Sequence, residues 1–227
     1  MEEPAHAVSA NDGIQAAVVH GWGRVIAGDE FSYTGAPDPA KWSLYDSRGH
    51  DGNGVRNPRA WSVAEGMATL RGDANGVTGG MSALFAQQRY GRWEVRMRTS
   101  RRVSQYHPVL ILWPKGNVSP NCAEIDYAEG DSDTRVMRFF LHFGCAGHDV
   151  QLSARRVIDT TVWHNYAVQW TAAGVVGYLD GAVWFTDSNP ADQPTVPLRQ
   201  TIQLDWFPNG MPTHAAQLQI AWVRVYR

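Results

Sequence analysis

Cysteine is scarce in this chain: only Cys122 and Cys145 among 227 residues, so at most one disulfide can form. No apolar run reaches the ~18 residues a membrane helix needs, which excludes a helical membrane span. Basic runs are also missing, and the formal net charge is only −2 with the charges scattered. That removes the electrostatic footprint of a nucleic-acid or anionic-membrane partner. Residues Met1 to His20 lack the basic start and apolar middle of a secretory signal. They are read as a weakly ordered N-terminal extension (1–20) ahead of a single domain (21–227).

What the chain does contain is aromatic surface: ten Trp, eight Tyr and seven Phe. Such rings fill β-sandwich cores and also make the flat platforms on which sugar rings stack. With 44% hydrophobic residues, a sizeable two-sheet core is within reach. Helical periodicity is nearly missing, and turn signals recur every eight to twelve residues, among them Asp51-Gly52-Asn53-Gly54, Asn75-Gly76, Asp180-Gly181 and Pro208-Asn209-Gly210. Between Tyr90 and Arg98, Trp93, Val95 and Met97 alternate with Arg92, Glu94, Arg96 and Arg98. Val175–Leu179 and Ala182–Phe185 flank Asp180-Gly181 as a two-residue hairpin. Short, alternating, turn-punctuated strands predict an all-β fold, an antiparallel two-sheet sandwich.

The segment Glu124-Ile125-Asp126-Tyr127-Ala128-Glu129 places three carboxylates at i, i+2 and i+5. A regular strand puts Glu124 and Asp126 on one face and Glu129 on the other. One extra residue, a bulge at Tyr127-Ala128, turns Glu129 back to its partners. Glu124 and Glu129 then stand roughly 13 Å apart along the backbone, and side chains leaning inward close that to about 5 Å. This is the spacing at which two carboxyls split a glycosidic bond with retention. Two other readings compete: a solvated strand face, and a calcium site that uses Asp131 and Asp133. The helix-loop-helix calcium pattern fails, because Ala128 and Asp131 stand where it needs an acid and a glycine. The apolar runs Val109–Trp113 and Met137–Phe143 on either side argue for a mid-sheet strand.

The carboxylate segment resembles the bulged signature of glycoside hydrolase family 16, which includes laminarinase-type endo-β-1,3-glucanases. Further segments resemble that family in order: Gly28–Phe31 with Lys41-Trp42, Arg89–Arg96, Trp163–Trp170 with Tyr178–Gly181, and Trp222–Tyr226. The resemblance runs from about Trp22 to the C-terminus. It implies a jelly-roll sandwich with a concave cleft, Glu124 as nucleophile, Glu129 as general acid/base and Asp126 as an electrostatic neighbour that keeps Glu129 protonated. It also implies a polysaccharide partner, no cofactor and no catalytic metal, work outside cells and a monomer. Galactan cleavage, glycosyl transfer or lectin-like binding would use the same frame.

His142 stands where laminarinase-like members carry a histidine, and alternation puts it opposite Phe139, Leu141 and Phe143; the competing reading is a histidine satisfied by backbone. Trp113 reads as a stacking platform or as a core residue at a strand end. Trp206 shares parity with Ile202 and Leu204, which reads as core unless the strand breaks before Pro208. Arg92, Tyr106 and His107 are candidates for sugar hydroxyls or ordinary sheet-surface residues. The chain departs from the family at Cys122, Met81 and Ala221; the last stands where an acid often helps bind a structural calcium. A Cys122–Cys145 disulfide and two buried thiols both fit.

Overall fold

The structure is a computed structural model that describes residues 9–118, 122–144 and 150–227. In chain order the first strands are β1 (Ala27–Asp29), β2 (Trp42–Leu44), β3 (Ser47–Arg48), β4 (Val55–Arg56), β5 (Trp61–Ala64) and β6 (Met67–Gly72). The middle ones are β7 (Val77–Thr78), β8 (Gly80–Ala83), β9 (Gly91–Thr99), β10 (Tyr106–Pro114), β11 (Glu124–Gly130) and β12 (Val136–Phe143). The last are β13 (Val150–Val157), β14 (His164–Thr171), β15 (Gly174–Leu179), β16 (Ala182–Asp187), β17 (Leu198–Trp206) and β18 (Ala216–Tyr226).

Two large antiparallel sheets carry the fold. One runs β16-β15-β14-β9-β18-β6-β5, with β1 added on β18; the other runs β13-β12-β11-β10-β17-β8-β2. Their inner faces share one core, in which Trp42, Trp93, Trp170, Tyr127, Tyr166 and Phe139 are almost fully buried. This is the sandwich the alternation predicts, because every second residue of each strand faces the other sheet. The Asp180-Gly181 hairpin forms as expected: both residues have positive φ (48° and 74°), and Leu179 pairs with Ala182. That is the twist a two-residue turn needs. Outside the sandwich, β3, β4 and β7 make a small sheet in which β4 and β7 run parallel. Among the described residues no helix is long and apolar enough to cross a membrane.

One expectation is corrected. Residues 9–20 are a packed segment on the outer face of the eight-stranded sheet; residues 1–8 lie outside the described ones. A one-turn helix, α1 (Ala16–Val19), presents Ala16 and Ala17 to that face, and both are buried. Their N–H groups donate to the carboxylate of Glu94 at 2.6 and 3.2 Å. Burial pushes Glu94 up to about 7, although both hydrogen bonds pull it down. Arg224 ties Asp12, Gln15 and Glu30 to the same face at 2.8 to 3.1 Å. The sequence hides this because the polar side chains of β9 look like a solvated face. They are instead the partners of the segment's free backbone groups. A chain starting at residue 21 is expected to melt roughly 5–10 °C lower, since losing a few kcal/mol moves a domain of this size by that much. An unchanged thermal midpoint would refute the bracing role.

Candidate active site

Strand β11 does not run in regular register with either neighbour. Against β10, Ile111 pairs with Asp126 and Leu110 with Ala128; against β12, Asp126 pairs with Phe140 and Glu129 with Arg138. Each comparison leaves one extra residue on β11, the bulge at Tyr127-Ala128. Tyr127 and Ala128 both enter the core, where the Tyr127 hydroxyl donates to Gln200 Oε1 at 2.5 Å. Glu124, Asp126 and Glu129 consequently all line one cavity of about 800 Å³. Opposite them on β12 stand His142, Phe140 and Arg138, each in register with one acid.

The three acids occupy different environments. Asp126 is nearly buried and accepts from His142, with Nε2 3.0 Å from Oδ2. The carboxylate being the acceptor, the proton of that imidazole sits on Nε2. Glu129 is pushed up to about 7, first by burial and next by the negative charge of Asp205; Glu124 adds to the rise, while His142 and Arg138 oppose it. Arg138 is itself held by Asp131 at 2.5 Å. A carboxyl near 7 beside a second carboxylate is the division of labour that acid–base chemistry on a sugar needs.

Parity sorts the remaining candidates. On β10, His107, Val109, Ile111 and Trp113 face one way, and Tyr106, Pro108, Leu110 and Leu112 the other. Trp113 lines the cleft, as does His142. Tyr106 does not: it is a core residue whose hydroxyl donates to the Asp73 carbonyl at 2.6 Å. His107 is on the cleft side but outside its lining, beneath the Phe207 ring at 4.4 Å and bonded to the Ser104 carbonyl at 3.0 Å. Burial, then Arg102, lower it to about 4, so it stays neutral at ordinary pH. Trp206 packs on the core side over Gly76, where an added Cβ would meet its ring at 2.3 Å, and Nε1–H donates to Thr213. Arg92 lies on the outer face of the other sheet, bonded to Gln169 at 2.8 Å and poised over Trp22. These four take the core or sheet-surface readings that competed with sugar binding.

Several cleft residues went unread. Tyr45, His50, Asp51 and Arg56 come from the small sheet and its loops, and Gln203, Asp205 and Phe207 from β17 and beyond. Asp205 had a readable signal: the alternation that sends Ile202, Leu204 and Trp206 inward turns Gln203 and Asp205 outward. Cys122 also lines the cleft and is disulfide-bonded; Cys145, the proposed partner, lies outside the described residues. Among the described residues no group of three or more His, Cys, Asp or Glu side chains could hold a metal ion.

A jelly-roll sandwich with a row of carboxylates across one sheet defines a class, the β-sandwich glycosidases. Within it, the chain belongs to glycosyl hydrolases family 16, whose model matches residues 53–224. It is 25% identical to the beta-glucanase of Rhodothermus marinus over 260 residues, covering 89% of this chain and 85% of that protein. It is 26% identical over 146 residues to the endo-1,3-1,4-beta-glycanase EglC of Rhizobium meliloti (strain 1021), covering 58% of this chain but only 31% of that longer protein. The solved structure of LamAcat from Zobellia galactanivorans superposes with a TM-score of 0.80 at 18% identity, over 92% of this chain and 99% of that one. That likeness describes the fold.

Proposed function

We propose that the protein is a retaining endo-β-glucanase acting on β-1,3 or mixed β-1,3/1,4 glucan. The observation that carries this is the β11 bulge, which gathers Glu124, Asp126 and Glu129 along one open trough. The names of the Rhodothermus and Rhizobium relatives support the substrate class.

In the first step a Glu124 oxygen attacks the anomeric carbon and the glycosidic C–O bond breaks. The Glu129 proton passes to the leaving oxygen. In the second step water attacks the same carbon, Glu129 takes its proton, and the glycosyl ester on Glu124 is released. Asp126, anchored by His142, faces the sugar between the two and keeps the row of charges in place. Trp113 offers a ring for an adjacent sugar to stack on. A polymeric substrate also assigns the work to the outside of the cell.

The test is product release from laminarin, lichenan, xyloglucan, agarose and galactan, with the anomer formed first read by NMR. The expected result is short β-glucan oligosaccharides released as the β anomer. Turnover confined to agarose or galactan, release of the α anomer, or binding without product would each overturn the proposal. The rate should also fall as pH rises through about 7, because Glu129 must enter the first step protonated and is held near 7.

A further inference from the structure

We propose that Asp205 and Arg56 form a tuning pair for Glu129: the carboxylate holds the acid/base in its proton-bearing form, and the guanidinium limits how strongly it does so. The inference rests on Glu129 acting as the acid/base.

Strand β10 lies between β11 and β17, so the two outer strands can be compared through it. Val109 pairs with Glu129 on one side and with Gln203 on the other, and His107 pairs with Asp205. Gln203 therefore lies in the same cross-strand row as Glu129, two strand spacings away or about 10 Å between backbones. Asp205 is the next cleft-facing residue along. Both acids line the same cavity.

Only 5% of the Asp205 side chain is exposed, so water screens its charge poorly. A buried carboxylate persists only with a partner. Arg56 provides it, with Nη2 2.7 Å from Asp205 Oδ1. The same guanidinium bonds Gln203 and lies 5.6 Å from the centre of the Tyr45 ring, so its position is fixed on three sides. Arg56 belongs to β4, in the small sheet, and so its contact with Asp205 joins the cleft wall to the cleft floor.

The other charged or titratable groups facing Glu129 are Glu124 and Asp126 on its own strand, and Arg138 and His142 on β12. Tyr45, and His50 and Asp51 beside Arg56 on the wall, complete the set, with His107 on β10 just outside the lining. Of the charges acting on Glu129, Asp205 raises its proton affinity most, ahead of Glu124. An aspartate beyond the motif therefore shares the work that the motif's own carboxylates do on Glu129.

The test uses Asp205→Asn and Arg56→Gln, each read by the alkaline limb of kcat/KM and by a ¹³C NMR titration of the Glu129 carboxyl, which needs no substrate. Asp205→Asn should move both readouts down by ~0.5 pH unit or more, and Arg56→Gln should move both up by a similar amount. Arg56→Lys, which keeps the charge, should leave them near wild type. A purely structural pair would lower activity without opposite displacements. Unmoved readouts, or two variants displaced in one direction, would overturn the proposal. If Arg56→Gln does not fold, Asp205→Asn decides alone. If the wild type releases no product from any glycan, the hydrolase reading fails, while the carboxyl titration still decides on the pair.

Discussion

Glu124→Ala is expected to lose on the order of 10⁴-fold or more in turnover on β-glucan, with the fold unchanged. Without that oxygen the first step has no nucleophile, and the covalent route is closed rather than slowed. The gap left by the side chain admits a small anion beside the anomeric carbon. Azide, given with an aryl β-glucoside, should therefore restore turnover and yield the α-glycosyl azide, by a single inversion. The side chain sits on the cleft side of β11 opposite His142, so its truncation removes no core contact. An active variant, or a rescue that gives the β-azide, would show that another group attacks the sugar.

Glu129→Ala should behave differently in a way that separates the two acids. Turnover on unactivated glucan should fall ~10³-fold, within the range that a positioned general acid contributes. With an aryl glycoside whose phenol leaves without a proton, the first step survives and the ester on Glu124 accumulates. Azide then attacks that ester without needing a base and gives the β-glycosyl azide, by two inversions. A second consequence comes from linkage. Glu129 stands at about 7 in the folded protein against an ordinary 4.5, so the folded state binds the proton more tightly than the unfolded chain. Its ionisation costs the wild type stability progressively as pH rises from 4.5 through about 7. Glu129→Gln avoids that cost and should be more stable than wild type at pH 8, by on the order of 1–3 kcal/mol, in denaturant titrations. Equal stabilities at pH 8 would mean that Glu129 is not held protonated by its surroundings.

The fold was legible because each strand reports its own alternation, and the bulge because three acids in one segment cannot share a face without it. Trp113 and His142 were legible for the same reason. Tyr106 shows where this breaks down: an aromatic with a polar tip satisfied by a carbonyl looks the same in sequence as one waiting for a sugar. Arg92 stayed open between cleft and sheet surface because parity fixes the face of a strand but not which sheet the strand joins. Asp205 and Arg56 are 149 residues apart, and nothing local to either announces the other. The packed segment 9–20 was missed for a related reason, since its partners Glu94, Asn165 and Arg224 are spread over three distant strands.

The three acids of the cleft are planted on one interior strand, β11, hemmed in by neighbours on both flanks and by a filled interior below. The sides of the trough come from a minor ribbon of three short strands and from loops. Arg56 apart, those borders can drift in length and composition without disturbing the chemistry beneath. Divergence in what such an enzyme grips can therefore proceed at the rim, while what it does to a bond stays fixed.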